Sequence, residues 1–94
     1  MNTDASPETE RQAFYDRVTA FIASLWQAEF RDEPMPRFTD DENLFDVGVL
    51  DSLSSVELIA WLEKQVGQQV DVLAIDPATF FTLRGLWKFA SSSS

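Results

Sequence analysis

The chain of 94 residues contains no cysteine and no histidine. Without cysteine there is no disulfide framework, no thiolate metal site and no thiol nucleophile supplied by the protein. Without histidine the usual general base for activating a serine is missing, which excludes a Ser-His-Asp hydrolase within this chain. Metal binding would need an all-oxygen site, and no segment has the calcium-loop spacing of alternating acids around a glycine. No catalytic residue and no metal ligand is therefore assigned. Basic residues are also scarce: 7 Lys and Arg stand against 16 Asp and Glu, for a net charge of −9. That balance argues against nucleic acid or an anionic membrane surface as a partner. No apolar run is long enough to span a membrane, and the polar, acidic N-terminus does not read as a secretory signal. A cytoplasmic protein is expected.

What remains is ample for a folded chain. The hydrophobic fraction is 45%, with 3 Trp, 1 Tyr and 8 Phe, and the length bounds the chain to one domain with a modest core. The acids are unevenly placed. Between Glu29 and Asp51 lie eight of them against Arg31 and Arg37, a solvated stretch that would also steer a basic partner.

Apolar periodicity predicts helices throughout and no strand. Residues 1–6 read as a disordered N-terminus. Ser6 and Pro7 then form a cap and a first-position proline, with Glu8 and Glu10 complementing the helix dipole. Phe14, Val18, Phe21, Ile22, Leu25 and Trp26 recur at three- and four-residue steps, so a first helix runs from about Pro7 to about Phe30. A long loop, Arg31 to Leu50, follows. Loops of that length inside a compact domain are usually functional; Leu44, Phe45, Val47 and Leu50 should pin this one to the core. A second helix begins near Asp51 to Ser54, with Ser54 and Glu57 fitting a capping box, and ends at Gly67. Asp76 and Pro77 open a very short third helix, and Thr82 caps a fourth carrying Leu83, Leu86, Trp87 and Ala90 on one side. Residues 91–94 read as a disordered serine tail, leaving residues 7–90 as the folded domain.

The second helix has two apolar faces. At 100° steps Leu58, Ile59, Leu62 and Val66 share the core side. Leu53, Val56 and Ala60 lie opposite, beside Glu57 and Lys64, with Trp61 at the edge, where it is either exposed or covered by the long loop. An exposed apolar strip rimmed by charge suggests docking. At the start of this helix stands Ser52, between Asp51 and Leu53. Helix starts stabilise anions through unpaired N–H groups and the dipole, so Ser52 is a candidate for a phosphate-linked group. An ordinary cap formed by Asp51 and Ser52 is the competing reading.

The run Leu44-Phe45-Asp46-Val47-Gly48-Val49-Leu50-Asp51-Ser52-Leu53, followed by Val56-Glu57-Leu58, resembles the signature of acyl and peptidyl carrier proteins. Asp76-Pro77 and Phe80-Phe81-Thr82-Leu83 resemble that family's short third helix and the start of its fourth. The resemblance spans roughly Phe14 to Phe89. It implies an all-α, four-helix carrier bundle, three longer helices plus a short one, with the long loop between helices I and II. It implies that Ser52 accepts 4′-phosphopantetheine from coenzyme A through a phosphopantetheinyl transferase, and that the arm holds an acyl or aminoacyl group as a thioester. The reactive thiol then belongs to the cofactor, in keeping with a chain that has no cysteine and performs no chemistry itself. By the same analogy Asp51 orients the helix start and contacts the transferase, and Gly48 allows a tight approach into the helix. Leu53, Val56, Glu57, Ala60 and Trp61 would meet partners: the transferase, an adenylating ligase or acyltransferase that loads the arm, and a downstream condensing or transfer enzyme.

Two residues, Val49 and Leu50, separate Gly48 from Asp51. This is similar to stand-alone aminoacyl carriers of the D-alanyl type, and the nearly neutral second helix points the same way. A stand-alone, monomeric carrier in a specialised pathway (aminoacyl, nonribosomal peptide or polyketide-type) is therefore expected. The alternative is an acidic helical adaptor that docks through the second helix and carries no prosthetic group.

Overall fold

The computed structural model describes residues 7–92, and the described residues form five helices and no strand. Three are long enough to build a bundle: α1 (Pro7–Glu29), α3 (Ser52–Val66) and α5 (Leu83–Ser91). Two are single turns, α2 (Leu44–Val47) and α4 (Pro77–Phe80). The four expected helices are thus present as α1, α3, α4 and α5, and the long loop carries an extra turn, α2. The expected disorder of residues 1–6 and the cap at Ser6 lie outside the described residues, as do Ser93 and Ser94. Of the expected serine tail, Ser91 closes α5 and Ser92 is its C-cap, its N–H donating to the Lys88 carbonyl.

Each helix contributes a stripe to one core. Phe14, Val18 and Ile22 come from α1, Leu44 from α2, Leu58 and Leu62 from α3, Phe80 from α4, and Leu83 and Leu86 from α5, all buried. The flanking positions Phe21, Leu25 and Trp26 of α1 are half-buried. Tyr15, off the expected stripe, is also buried, and its hydroxyl has no hydrogen-bond partner among the described residues. Burial, reinforced by the nearby Asp40 charge, raises its pKa.

The long loop is held by specific contacts. Asn43 caps α2, its Oδ1 accepting from Phe45 N at 2.9 Å and Asp46 N at 3.1 Å. The other end of the same side chain donates from Nδ2 to the carbonyls of Pro77 and Ala78, both at 3.1 Å. Leu44 N donates to Phe81 O at 2.8 Å, and the Phe45 ring meets Phe81 edge-on, centroids 5.1 Å apart. Arg84 pairs with Asp41, Nε to Oδ1 at 2.5 Å, and its backbone N–H donates to Asp40 O at 3.1 Å.

Two glycines play different parts. Gly48 ends α2 at φ 96°, and a Cβ built there would meet nothing within 4 Å. It is present for its left-handed backbone, which turns the chain toward the helix that follows. Gly85 lies where α4 and α5 cross, and a Cβ would collide with the carbonyl oxygens of Thr79 and Phe80. Thr82 sets that crossing: its Oγ1 donates to Thr79 O and accepts from Gly85 N, both at 2.8 Å.

Candidate functional site

The start of α3 is built by the turn before it. Gly48 reverses the chain, and the N–H groups of Val49 and Leu50 both donate to Leu44 O, at 3.1 and 3.3 Å. Val49 and Leu50 are buried, so they anchor the residue that follows. Sequence reasoning had placed Leu50 in the core and left Val49 unassigned. Their burial delivers Asp51 to the N-cap position.

Asp51 and Ser54 form the capping box, one pair earlier than the expected Ser54 and Glu57 pair. Asp51 Oδ1 accepts from Ser54 N at 2.9 Å, and Ser54 Oγ accepts from Asp51 N at 2.8 Å. Glu57 is exposed. Donation from the Ser54 backbone N–H, and then from its hydroxyl, holds the Asp51 carboxyl below the usual carboxylate range. Asp51 therefore stays charged in neutral solution while occupied with the helix end.

Three serines share this first turn, and their hydroxyls differ. Ser54 Oγ is committed to Asp51. Ser55 is 8% exposed, and its Oγ donates to Ser52 O at 2.8 Å. Ser52 is exposed, and its hydroxyl takes part in no hydrogen bond among the described residues. The cap is formed by Asp51 and Ser54, so the expected capping role holds for Asp51 and not for Ser52. A free primary alcohol thus projects into solvent from the first position of a helix of 15 residues. Such a position favours an attached anion.

Beyond the serine, α3 presents the strip expected from its periodicity. Leu53 is 70% and Val56 62% exposed, with Glu57 and Ala60 exposed beside them. Trp61 is half-buried and stacked on Phe21, centroids 5.1 Å apart and rings within 16° of parallel. Its ring partner is therefore α1. Two further exposed apolar residues, Val72 at 55% and Leu73 at 95%, sit on the connector after α3. Neither stood out in the sequence, because a connector has no periodicity against which an outward-facing residue can be recognised. That connector is tied back to α3 by Glu63, whose Oε2 accepts from Val70 N at 2.8 Å.

No group of three or more acids among the described residues is placed to hold a metal ion, and no helix there is long and apolar enough to cross a membrane.

A small all-helical bundle that offers one unpaired serine hydroxyl at a helix start suits a carrier of a covalent group. The family model described as the phosphopantetheine attachment site matches residues 20–86 of this chain, and the chain belongs to that family. No curated protein and no solved structure matches the chain. The prosthetic group of the family is 4′-phosphopantetheine. Its members are in general non-catalytic carriers that meet a phosphopantetheinyl transferase and biosynthetic enzymes. The start of α3 fits the group: an exposed alcohol can form the phosphodiester, and the helix dipole favours its charge. When bound, the group supplies a thiol on a flexible arm, which the chain itself lacks.

Proposed function

We propose that Ser52 carries the 4′-phosphopantetheine arm and that the chain presents an acyl or aminoacyl thioester to partner enzymes. The observation that carries this reading is the contrast among Ser52, Ser54 and Ser55: only the first has a hydroxyl that is both exposed and unbonded. Asp51 fixes the helix start and offers the transferase a charged landmark beside the nucleophile. Leu53, Val56, Glu57 and Ala60 form the docking strip, with Trp61 supporting it through Phe21. The carrier domain spans residues 7–90.

The cargo we favour is aminoacyl, in a specialised pathway of the D-alanyl, nonribosomal peptide or polyketide kind. Support comes from the Val49-Leu50 spacing before Asp51 and from the few charges on α3. The partners are then an adenylating ligase or acyltransferase and a downstream condensing or transfer enzyme. The carrier works as a monomer in the cytoplasm, where coenzyme A is made.

Incubation with coenzyme A and a broad-specificity phosphopantetheinyl transferase, followed by intact mass, tests the assignment. The mass should rise by one phosphopantetheine in the parent chain and in Ser54→Ala, and stay unchanged in Ser52→Ala. Modification of Ser52→Ala would move the site elsewhere. No modification of the parent by several transferases would favour the adaptor reading.

A further inference from the structure

A hollow of about 190 Å³ lies between the end of α1 and the turn that leads into α3. Asp51 and Ser54, which flank Ser52 in the first turn, are part of its rim. Leu25, Trp26, Phe30 and Leu50 provide an apolar and aromatic wall, Glu29 adds a second carboxylate, and no Lys or Arg lines it. The wall is set in place before any ligand arrives. The Trp26 indole N–H donates to Glu33 O at 2.8 Å, and its ring lies 4.3 Å from that of Phe30.

Such a lining sorts occupants by charge. A phosphate or a carboxylate-ended chain meets two like charges. A plain acyl group gains apolar contact alone. A cation on a short apolar body gains that contact, the attraction of the carboxylates, and the faces of the aromatic rings. We propose that this hollow receives the aminoacyl end of a loaded arm, curled back from Ser52, with its α-ammonium toward Glu29 and its side chain against Trp26 and Leu25. This rests on the reading of Ser52 given above and specifies the class of cargo.

The tether makes a shallow site sufficient. A group on a short flexible linker has an effective concentration on the order of 1 mM, so a hollow with a dissociation constant of about 1 mM is filled about half of the time. Cargo held that weakly is partly shielded from water yet still free to reach a partner enzyme.

The test compares two loads that differ only by the ammonium group, valyl and 3-methylbutyryl, each joined to the arm through an amide that does not hydrolyse. Intact mass first reports whether the loaded arm is on Ser52. A chain that takes no arm fails at this stage, which identifies the attachment reading as the error. In the loaded proteins, NMR should show valyl displacing the Trp26 indole N–H and the methyl groups of Leu25 and Leu50. The hollow should hold valyl with roughly two- to fivefold higher affinity than 3-methylbutyryl, the range of an exposed ion pair, which at a half-filled site is roughly 1.5- to threefold in occupancy. Glu29→Gln should move valyl toward the 3-methylbutyryl level without changing the loaded mass. Equal displacements by the two loads, or none beyond those of the unloaded arm, would overturn the inference.

Discussion

Asp51 and Ser54 satisfy each other at the start of α3, the carboxylate accepting from the Ser54 backbone at 2.9 Å and the Ser54 hydroxyl accepting from the Asp51 backbone at 2.8 Å. This exchange uses the two neighbours of the intervening pair and leaves the Ser52 hydroxyl without a structural task. A residue that both capped the helix and carried a phosphodiester would have to give up one role for the other. Here Asp51 and Ser54 make the cap, and the Ser52 hydroxyl stays free for the attachment proposed above.

The cap gives a pH dependence with a definite sign. Hydrogen bonds from Ser54 lower the Asp51 pKa in the folded chain. The stabilisation is therefore fully present above the unfolded carboxylate value of about 3.9. It is lost as pH falls through the lower folded value. An NMR titration should find Asp51 below a free-peptide aspartate, and Ser54→Ala should move it upward. An Asp51 that titrates at or above the free value would show that the box does not form in solution.

The two glycines should respond differently to alanine. At Gly85 the added methyl runs into the carbonyls of Thr79 and Phe80, backbone atoms that cannot turn aside, so a loss of about 1–3 kcal/mol or more is expected. At Gly48 space is free and only the left-handed backbone is strained, at a cost of about 1–2 kcal/mol. Asn at position 48 should recover part of that loss, whereas Asn at 85 should not. Urea unfolding of the four variants gives the comparison, and recovery at 85 would contradict the close approach of α4 and α5.

Leu44 is fully buried although it belongs to a single turn inside the long loop. Leu44→Ala should cost about 2–5 kcal/mol, like a core leucine of a longer helix. The Leu44 carbonyl also accepts from Val49 and Leu50, so transferase modification should slow in this variant before global unfolding is seen. A surface-like loss below about 0.5 kcal/mol would mean that the turn is not docked.

Val56 and Trp61 separate docking from packing. Val56→Asp should leave stability within about 0.5 kcal/mol, as for an ordinary surface change, while weakening loading by a partner enzyme. Trp61→Ala should destabilise, because the stacked pair with Phe21 is worth about 0.5–1.5 kcal/mol beyond the area it buries. Thermal melts read alongside loading rates distinguish the two effects. Unfolding of Val56→Asp would place that side chain in the core instead.

The helices of the bundle were legible because each repeats a local signal several times. α1 and α3 follow their apolar stripes, and Asp76 and Thr82 cap α4 and α5 as their sequences suggest. Ser52, too, was legible, as a hydroxyl at a helix start. The features that were not legible are made by distant partners. Four residues are too few to show a period, so α2 depended on Leu44 N meeting Phe81 O and on Asn43 reaching α4. Gly85 resembled any glycine in a helix until α4 was laid across it. Likewise the capping box belonged to Asp51 rather than Ser54 because buried Val49 and Leu50 determine where the helix can begin.

Asn43 has a consequence of its own. Its carbonyl end faces two amide hydrogens and its amino end faces two carbonyl oxygens. The position therefore reads the identity of a single atom. Asn43→Asp would keep the shape and the cap but turn a negative oxygen toward Pro77 O and Ala78 O. The lead-in to Ser52 and the turn at α4 would then repel at the point where they are joined. Exchange of this one nitrogen for oxygen would loosen the bundle without changing its size or touching the serine.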